Sequence, residues 1–526
     1  MRRVQLILII STLLGANVEL LAQSKKYNKE EKNTFLDADS YYVYGDFYTA
    51  VKLFKQVYSA DVDFQEINFK LGDALFQLGE KDEALTYLQK GQYFNTDSYF
   101  LMARVYLSQN EFDKARNSIQ DFEKYRDEKQ TNYTWELIER LKSNVEFAEK
   151  QMGSPELLNI VNLGEAINSE HDEYVPLISS DETLLLFTSR RLHSENELDP
   201  TGKPYEDIYE SHKDNGIWQE ARLLKGEVNT NLHDASVGLS PDGKRLYTFR
   251  TNENLIGGDL YESLYLNGTW TTPIRMSEKI NNYESIEPSA SISLDGQTFY
   301  FSSNRAGGFG GFDLYRVVKL PNGEWSEALN LGEEINTPFD EDAPFIHPDG
   351  KSLYFSSKGH ENMGGFDLFK SEQLEDGSWK KPENLGYPTN TTEDDIYFVI
   401  SANEQHGYYA TEKENGLGGH DIYRIDYLEK KLRQSVIKAK LMDETSKIPL
   451  AGEISLVEVE SGDLVGIYQA SKDDGEFIFL VNPNVSYQLN IQVEGYEEKK
   501  ETIQYKTKEL LEEHFLKFSL KAKQGQ

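Results

Sequence analysis

An acidic residue followed by two apolar ones recurs five times through the middle of this chain, at Asp207-Ile-Tyr, Asp259-Leu-Tyr, Asp313-Leu-Tyr, Asp367-Leu-Phe and Asp421-Ile-Tyr, in steps of 52, 54, 54 and 54 residues. Trp218, Trp270, Trp325 and Trp379 keep the same phase, as do the turns Ser240-Pro-Asp-Gly, Leu294-Asp-Gly and Pro348-Asp-Gly. A fixed period of this length means that one supersecondary unit is built repeatedly and buries its apolar face against the next copy. The third unit offers four short strands, Pro288 to Ser293, Thr298 to Ser303, Phe312 to Val318 and Trp325 to Leu331, separated by Gly, Asn and Asp turns. Four strands per repeat predicts the blade of a β-propeller over residues 155–428.

The fifth unit has its marker strand at Asp421 to Asp426 but no tryptophan strand after it. The segment Leu157-Leu-Asn-Ile-Val-Asn-Leu-Gly-Glu-Ala-Ile-Asn matches Ala328-Leu-Asn-Leu-Gly-Glu-Glu-Ile-Asn, which follows Trp325. It is therefore expected to supply the missing outer strand and close the ring, leaving no open sheet edge. Five blades is the expectation, with six as the alternative if a degenerate unit is hidden.

With 526 residues the chain is too long for one core. Residues 1–22 read as a secretory signal peptide: Arg2 and Arg3 form the positive region, Val4 to Leu14 the apolar run, and cleavage follows Ala22. Elsewhere no run is long and apolar enough to span a bilayer, so no direct membrane span is expected after cleavage. There is no cysteine, hence no disulfide, thiolate metal site or lipid-bearing cysteine, and an exported chain of this kind points to a bacterial periplasm. The formal charge of −34 makes nucleic acid and anionic headgroups poor partners. It leaves open basic proteins, cations and neutral glycans, and equally a merely solubilising acidic surface.

Residues 28–150 are helical in pattern. Gly45, Ala50 and Phe54 are echoed by Gly79, Ala84 and Leu88 at an offset of 34, and by Asn110, Ala115 and Ile119 at an offset of 31. With Leu71-Gly-Asp-Ala-Leu-Phe and Ala103-Arg-Val-Tyr-Leu in first-helix positions, this segment resembles the tetratricopeptide repeat. That resemblance implies helix pairs and an interaction role. Residues 432–522 change to alternating strands at Ser435 to Leu441, Gly452 to Val459, Gly475 to Leu480, Tyr487 to Val493 and Phe515 to Leu520. Asp473-Asp-Gly-Glu-Phe-Ile-Phe, Pro483 and Gly495-Tyr496 resemble the carboxypeptidase regulatory-like module, which implies a small antiparallel β-sandwich.

The units Ser240-Pro-Asp-Gly-Lys-Arg-Leu-Tyr and Pro348-Asp-Gly-Lys-Ser-Leu-Tyr-Phe-Ser-Ser resemble the WD40-like (PD40) repeats of TolB-like propellers. The order of signal, helical repeats, propeller and sandwich looks like that of Bacteroidetes periplasmic proteins associated with type IX secretion and gliding. Those carry an OmpA-like peptidoglycan-binding domain, and no such segment follows Leu520, so the resemblance implies only indirect peptidoglycan contact.

Eight residues before each turn residue, Asp181, Asp242, Asp295, Asp349 and Asn403, stands an acid: Glu173, Asp234, Glu287, Glu341 and Asp395. At the entry to the innermost strands these five are expected to form a carboxylate ring on one propeller face. Three readings are open: local turn capping with Arg190, Arg250 and Arg305 as neighbours, docking of a basic protein, or a bound cation. The marker residues Asp207, Asp259, Asp313, Asp367 and Asp421 follow Gly-rich loops, Gly257-Gly258, Gly310-Gly311, Gly364-Gly365 and Gly418-Gly419, and are expected to accept backbone N–H bonds there. The first unit instead carries an insertion around Glu195 to Tyr205.

Histidines lack metal-ligand spacing, Gly238-Leu-Ser-Pro-Asp is no nucleophile elbow, and no phosphate loop is present. Neither a catalytic constellation nor a metal or cofactor site is expected. The reading is a non-catalytic periplasmic scaffold that binds envelope or outer-membrane proteins. The rival is a carbohydrate-active or glycan-binding propeller, although a fivefold repeated acid looks architectural rather than catalytic.

Overall fold

A computed structural model describes residues 27–128, 131–193, 198–199, 203–253, 257–413, 415–427, 434–507 and 514–523. The signal segment 1–22 and much of the insertion after Glu195 lie outside these. The chain forms two compact units, Met1–Glu149 with Leu198–Lys203, and Lys150–Glu197 with Pro204–Gln526.

Seven helices are described before the first strand: α1 Lys29–Tyr44, α2 Phe47–Tyr58, α3 Gln65–Gln77, α4 Lys81–Gly91, α5 Asp97–Ser108, α6 Phe112–Tyr125 and α7 Trp135–Met152. They pack as pairs, α1 on α2, α3 on α4 and α5 on α6. The repeated markers explain the turns, because Gly45, Gly79 and Asn110 end the first helix of each pair at φ of 84°, 84° and 59°. Glycine reaches that left-handed region freely and Asn is among the residues that tolerate it. The second set of markers, Ala50, Ala84 and Ala115, is fully buried in the second helices. Close approach also needs Gly72 and Gly91, where a Cβ would fall 2.7 Å from Leu88 and 2.5 Å from the Phe69 nitrogen.

Beyond the helices, five sheets recur among the described residues. Their innermost strands are Glu173–Ile178, Asp234–Leu239, Ala290–Ile292, Glu341–Ile346 and Ile396–Ile400. Second strands run Leu184–Ser189, Arg245–Thr251, Thr298–Ser303, Ser352–Ser357 and His406–Thr411, and third strands Asp207–Asp214, Gly258–Leu266, Asp313–Val318, Asp367–Glu372 and Asp421–Asp426. Each innermost strand touches the next and the fifth touches the first, so the sheets form a closed cycle. Asn159–Asn162 completes the fifth sheet, antiparallel to the third strand, from Asn159 opposite Asp426 to Asn162 opposite Tyr423. The tryptophan segments are shorter than expected: Trp325 and Trp379 make single bridges to Lys319 and Gln373, and the outer strands proper are Leu329–Asn330 and Glu383–Asn384.

The Asp-Gly turns hold Gly243, Gly296 and Gly350 at φ of 72°, 68° and 69°. In the first and fifth sheets Glu182 and Glu404 occupy that conformation, at 54° and 56°. A left-handed glutamate is strained, and cross-sheet bonds offset the strain in the first sheet. Glu182 accepts from Tyr408 at 2.8 Å and lies 3.0 Å from His406 and 3.3 Å from Lys213.

The last region has a three-stranded sheet, ordered Glu476–Val481, Ser435–Asp443, His514–Leu520, and a four-stranded one, ordered Leu464–Ala470, Gly452–Glu458, Ser486–Gln492, Lys499–Gln504. Ile437, Leu441, Ile454, Phe479, Leu489 and Phe518 from both sheets share one core. Two strands escaped the sequence reading: Leu464–Ala470 exposes apolar residues instead of alternating cleanly, and Lys499–Gln504 opens on charges. His514–Leu520 pairs parallel to Ser435–Asp443, which corrects the all-antiparallel expectation. It follows a strand of the other sheet, and such a crossover brings the chain back in the same direction. This region meets the Asp-Gly side of the ring, where Lys244 lies 3.0 Å from Glu476 and also pairs with Asp474, while Lys438 pairs with Asp181.

Candidate binding face of the ring

The five repeated acids all stand at the entry to the innermost strands, and all five are fully buried. They form no exposed carboxylate ring, because hydroxyls, amides and cations of their own sheets enclose them. Glu173 accepts from Ser169 N–H and Oγ at 2.7 Å each, from Ser189 Oγ at 2.6 Å, and pairs with Arg191 at 3.1 Å. Asp234 accepts from Thr230 N–H at 2.7 Å and Oγ1 at 2.6 Å, and from Arg250 Nε at 2.5 Å. Glu287 accepts from Ser285 and Ser303 hydroxyls at 2.6 Å and pairs with Arg305 at 3.3 Å. The cation in the first sheet is thus Arg191, two residues after Ser189 as Arg305 is after Ser303. Arg190 turns instead to Glu206, at 2.7 Å.

The fourth and fifth sheets break this pattern. Glu341 accepts from Thr337 N–H and Oγ1 and from Ser357 Oγ, each at 2.7 Å, but Gly359 stands where the first and third sheets have arginine. His360 reaches the Ile335 carbonyl at 2.9 Å, the contact that Arg305 makes with Ile280 at 2.7 Å. Burial without a paired cation pushes the Glu341 carboxyl up to about 7. Asp395 accepts from Thr391 N–H at 2.5 Å and Oγ1 at 2.9 Å, and burial raises it to about 7 as well, partly opposed by the charge of Lys413.

A second fivefold device went unread in the sequence. Asn168, Asn229, Asn281, Asn336 and Asn390, five or six residues before the acids, each bond both backbone groups of a third-strand residue. Asn336, for example, accepts from Leu314 N–H at 2.7 Å and donates to its carbonyl at 3.0 Å. The side-chain amide replaces a neighbouring peptide where the outer strand is too short to pair. The signal for it was present, an Asn preceded in four units by Ile or Val that is fully buried: Ile167, Val228, Ile280 and Ile335.

Three of the marker aspartates close their Gly-rich loops. Asp313 accepts from Phe309 N–H at 2.6 Å and Gly310 N–H at 2.9 Å, Asp421 from Leu417 at 2.7 Å and Gly418 at 3.1 Å, and Asp367 from Met363 at 3.0 Å. The same three take an amide from the outer strand, Asn330 at 2.8 Å, Asn162 at 2.6 Å and Asn384 at 2.7 Å. In the first two sheets the partners differ: Asp207 meets His193 at 2.8 Å, and Asp259 forms a two-point pair with Arg275 at 2.8 Å. The glycines also let neighbouring sheets touch. A Cβ on Gly310, Gly364 or Gly418 would lie 1.9, 2.2 or 1.9 Å from a carbonyl of Phe339, Thr392 or His171.

Along the axis, all five innermost strands line a cavity of ≈ 30 Å³, including Val175, Ser289, Ala343, Tyr397 and Phe398. That is room for no more than about two waters. Extra residues interrupt the innermost strands at register shifts after Tyr174, Asp342 and Ile396. Val175, Ala343 and Tyr397 there take φ of 50°, 50° and 62°. Such bulges re-aim side chains, and Tyr174 and Tyr397 come to lie nearly parallel, ring centres 6.3 Å apart at 23°, both only half-buried. Glu206 beside them accepts from Tyr174, lies 3.4 Å from His233, and is held down at about 2 by His233, Arg190 and Tyr174 against the effect of burial. Burial, then the charges of Asp342, Glu206 and Asp394, push the Tyr397 phenol up. The loops on this side expose Leu192, Tyr283, Phe309 and Leu417.

Among the described residues no group of three or more His, Asp or Glu is placed to hold a metal ion, and no helix is long and apolar enough to cross a membrane.

A tetratricopeptide repeat model matches residues 65–95, which are α3, α4 and the turn after them. No curated protein matches the sequence. Among solved structures the chain is similar to a putative TolB from Agrobacterium tumefaciens, with 17% identity over 62% of this chain and 97% of that one at a TM-score of 0.32. It is also similar to a glycoside hydrolase, with 8% identity over 56% and 96% at 0.35. A third is the β-propeller domain of the Trilobed protease from Pyrococcus furiosus, with 13% identity over 63% and 95% at 0.24. The chain has a helical region with a tetratricopeptide match at residues 65–95, followed by a large, mostly β region, and none of these proteins lends it an activity.

Proposed function

We propose that the chain is a non-catalytic scaffold of the bacterial periplasm, in which tetratricopeptide-like helices are followed along the chain by a five-bladed propeller closed by Asn159–Asn162 and then by a carboxypeptidase regulatory-like sandwich. Its partners are envelope or outer-membrane proteins, of the kind associated with type IX secretion or gliding. The observation that carries this reading is that the fivefold acids are spent inside the fold. Glu173, Asp234, Glu287, Glu341 and Asp395 are buried and bonded within their own sheets, so they serve as posts and not as a docking or catalytic ring. Acid and base carboxyls of a glycosidase must face a sugar, whereas these five face hydroxyls, amides and cations of their own sheets. The docking surface is the side opposite the Asp-Gly turns, which presents Leu192, Tyr283, Phe309 and Leu417.

Affinity capture from intact envelopes with the full chain and with Leu192→Asp, Phe309→Asp and Leu417→Asp tests the proposal, because the variants should lose a partner that the parent retains. Glycan hydrolysis or lyase turnover that disappears in Glu287→Gln and Glu341→Gln would replace the scaffold with an enzyme.

A further inference from the structure

Cations on the open side of the ring are mostly stacked on aromatic rings. Arg191 lies 4.7 Å from the Tyr209 centroid, Arg250 5.2 Å from Tyr261, Arg305 4.8 Å from Phe301, Lys358 4.2 Å from Phe366, and Lys413 5.1 Å from Tyr423. The Tyr174–Tyr397 pair at the mouth of the axis is different. Among the described residues no cation lies over either ring, although both keep part of their surface accessible and lie nearly parallel.

The charges around this pair do not cancel. Glu206 is matched by Arg190 at 2.7 Å and His233 at 3.4 Å, Asp340 by Lys358 at 3.3 Å, and Asp172 by His420 at 3.7 Å. Asp342 meets only neutral donors, Ser289 Oγ and Ala343 N–H at 2.7 Å. Asp394 uses one oxygen to accept from Phe366 N–H at 2.8 Å and stands exposed. Two aromatic faces beside two carboxylates without a matching cation attract a positive charge from outside. Near-parallel rings favour a planar one: a guanidinium stacks on aromatic faces and gives two parallel bonds to a carboxylate, which a compact ammonium does not.

We propose that Tyr174, Tyr397, Asp342 and Asp394 form a receptor for an arginine side chain presented by a protein partner. The inference rests on the scaffold reading and names the chemistry of its docked partner. Because Asp394→Asn keeps the oxygen that accepts from Phe366, and Tyr397→Asn suits a left-handed backbone, both variants isolate recognition from folding.

The full chain is titrated calorimetrically with acetyl-Gly-Arg-Gly-amide and with the same peptide carrying citrulline, the neutral near-isostere of arginine. The expected result is binding of the arginine peptide alone, weakened about tenfold in Tyr397→Asn and again in Asp394→Asn with melting temperatures unchanged. Equal binding of the citrulline peptide, undiminished binding by Tyr397→Asn, no binding of the arginine peptide, or a Tyr397-dependent response to maltotriose instead would each overturn it. A partner still captured through Leu192, Phe309 and Leu417 while the arginine titration fails would sink this inference and leave the scaffold standing.

Discussion

Asn162 donates its side-chain amide to Asp421 at 2.6 Å, across 259 positions of sequence, and so latches the first strand of the ring to the third strand of its last sheet. The Asn162 oxygen at the same time accepts from Gly164 N–H at 2.7 Å and from Asn168 at 2.8 Å. Closure of the cycle thus rests on a polar knot as well as on four residues of strand pairing.

Removing residues 155–164 should leave the Asp421–Asp426 strand with an open edge, lowering the melting temperature of the ring or its solubility. Asn162→Ala should cost about 1–2 kcal/mol in urea unfolding, because it strands donors and an acceptor inside the knot. A deletion variant that stayed monomeric and melted with the parent would show that another segment closes the ring.

The missing arginine of the fourth sheet predicts a pH effect. Glu341 rises from 4.5 to about 7 and Asp395 from 3.8 to about 7. Between the unfolded and folded values the native state holds protons that the unfolded chain releases, so stability is fully present at low pH and falls as pH rises toward 7. Each unit of displacement is worth about 1.4 kcal/mol as an upper scale. Urea midpoints at pH 5 and pH 7.5 should therefore differ, and Glu341→Gln should shrink the difference. Identical slopes in parent and variant would mean that Glu341 titrates normally.

Glycines 310, 364 and 418 should resist substitution. An alanine Cβ would meet a backbone carbonyl at 1.9, 2.2 or 1.9 Å, which cannot move without parting two sheets. Each change to Ala should cost about 1–3 kcal/mol or more. Gly419→Ala is the milder control, because its Cβ meets the Asp172 carboxylate, a side chain that can turn aside. Equal losses at Gly418 and Gly419 in thermal melts would contradict the sheet-contact explanation.

In the helical region, Lys70 is buried between Asp39 and Glu66, at 2.9 Å from the latter. Lys70→Met leaves two buried carboxylates without their cation, and should destabilise the helices by about 3–5 kcal/mol. Adding Glu66→Gln should recover part of that loss in helical circular dichroism melts. No recovery would place the cost in packing instead of charge.

What the sequence determined by itself was periodic and local. The 54-residue step placed the strands of the third unit to within a few residues, and Thr298–Ser303 to the residue, because alternation and Asp-Gly turns are written in neighbouring positions. The match of Leu157 to Asn168 with the run after Trp325 gave the pairing of Asn159–Asn162, since an outer strand carries its register in its own Asn and Leu residues. The positions of the five acids were equally legible, but their environment was not. Burial depends on whether Ser189, Ser303 and Ser357 and the arginines converge on them, and the choice of Arg191 over Arg190 turns on a backbone direction at the end of a strand. Likewise only the assembled cycle brings Tyr174 beside Tyr397, from opposite ends of the ring's sequence. Parallel pairing of His514–Leu520 is decided by a crossover between sheets. Period and turn chemistry are properties of a few adjacent residues, whereas burial, charge pairing and the contents of the axial mouth arise from residues that meet only after the ring has closed.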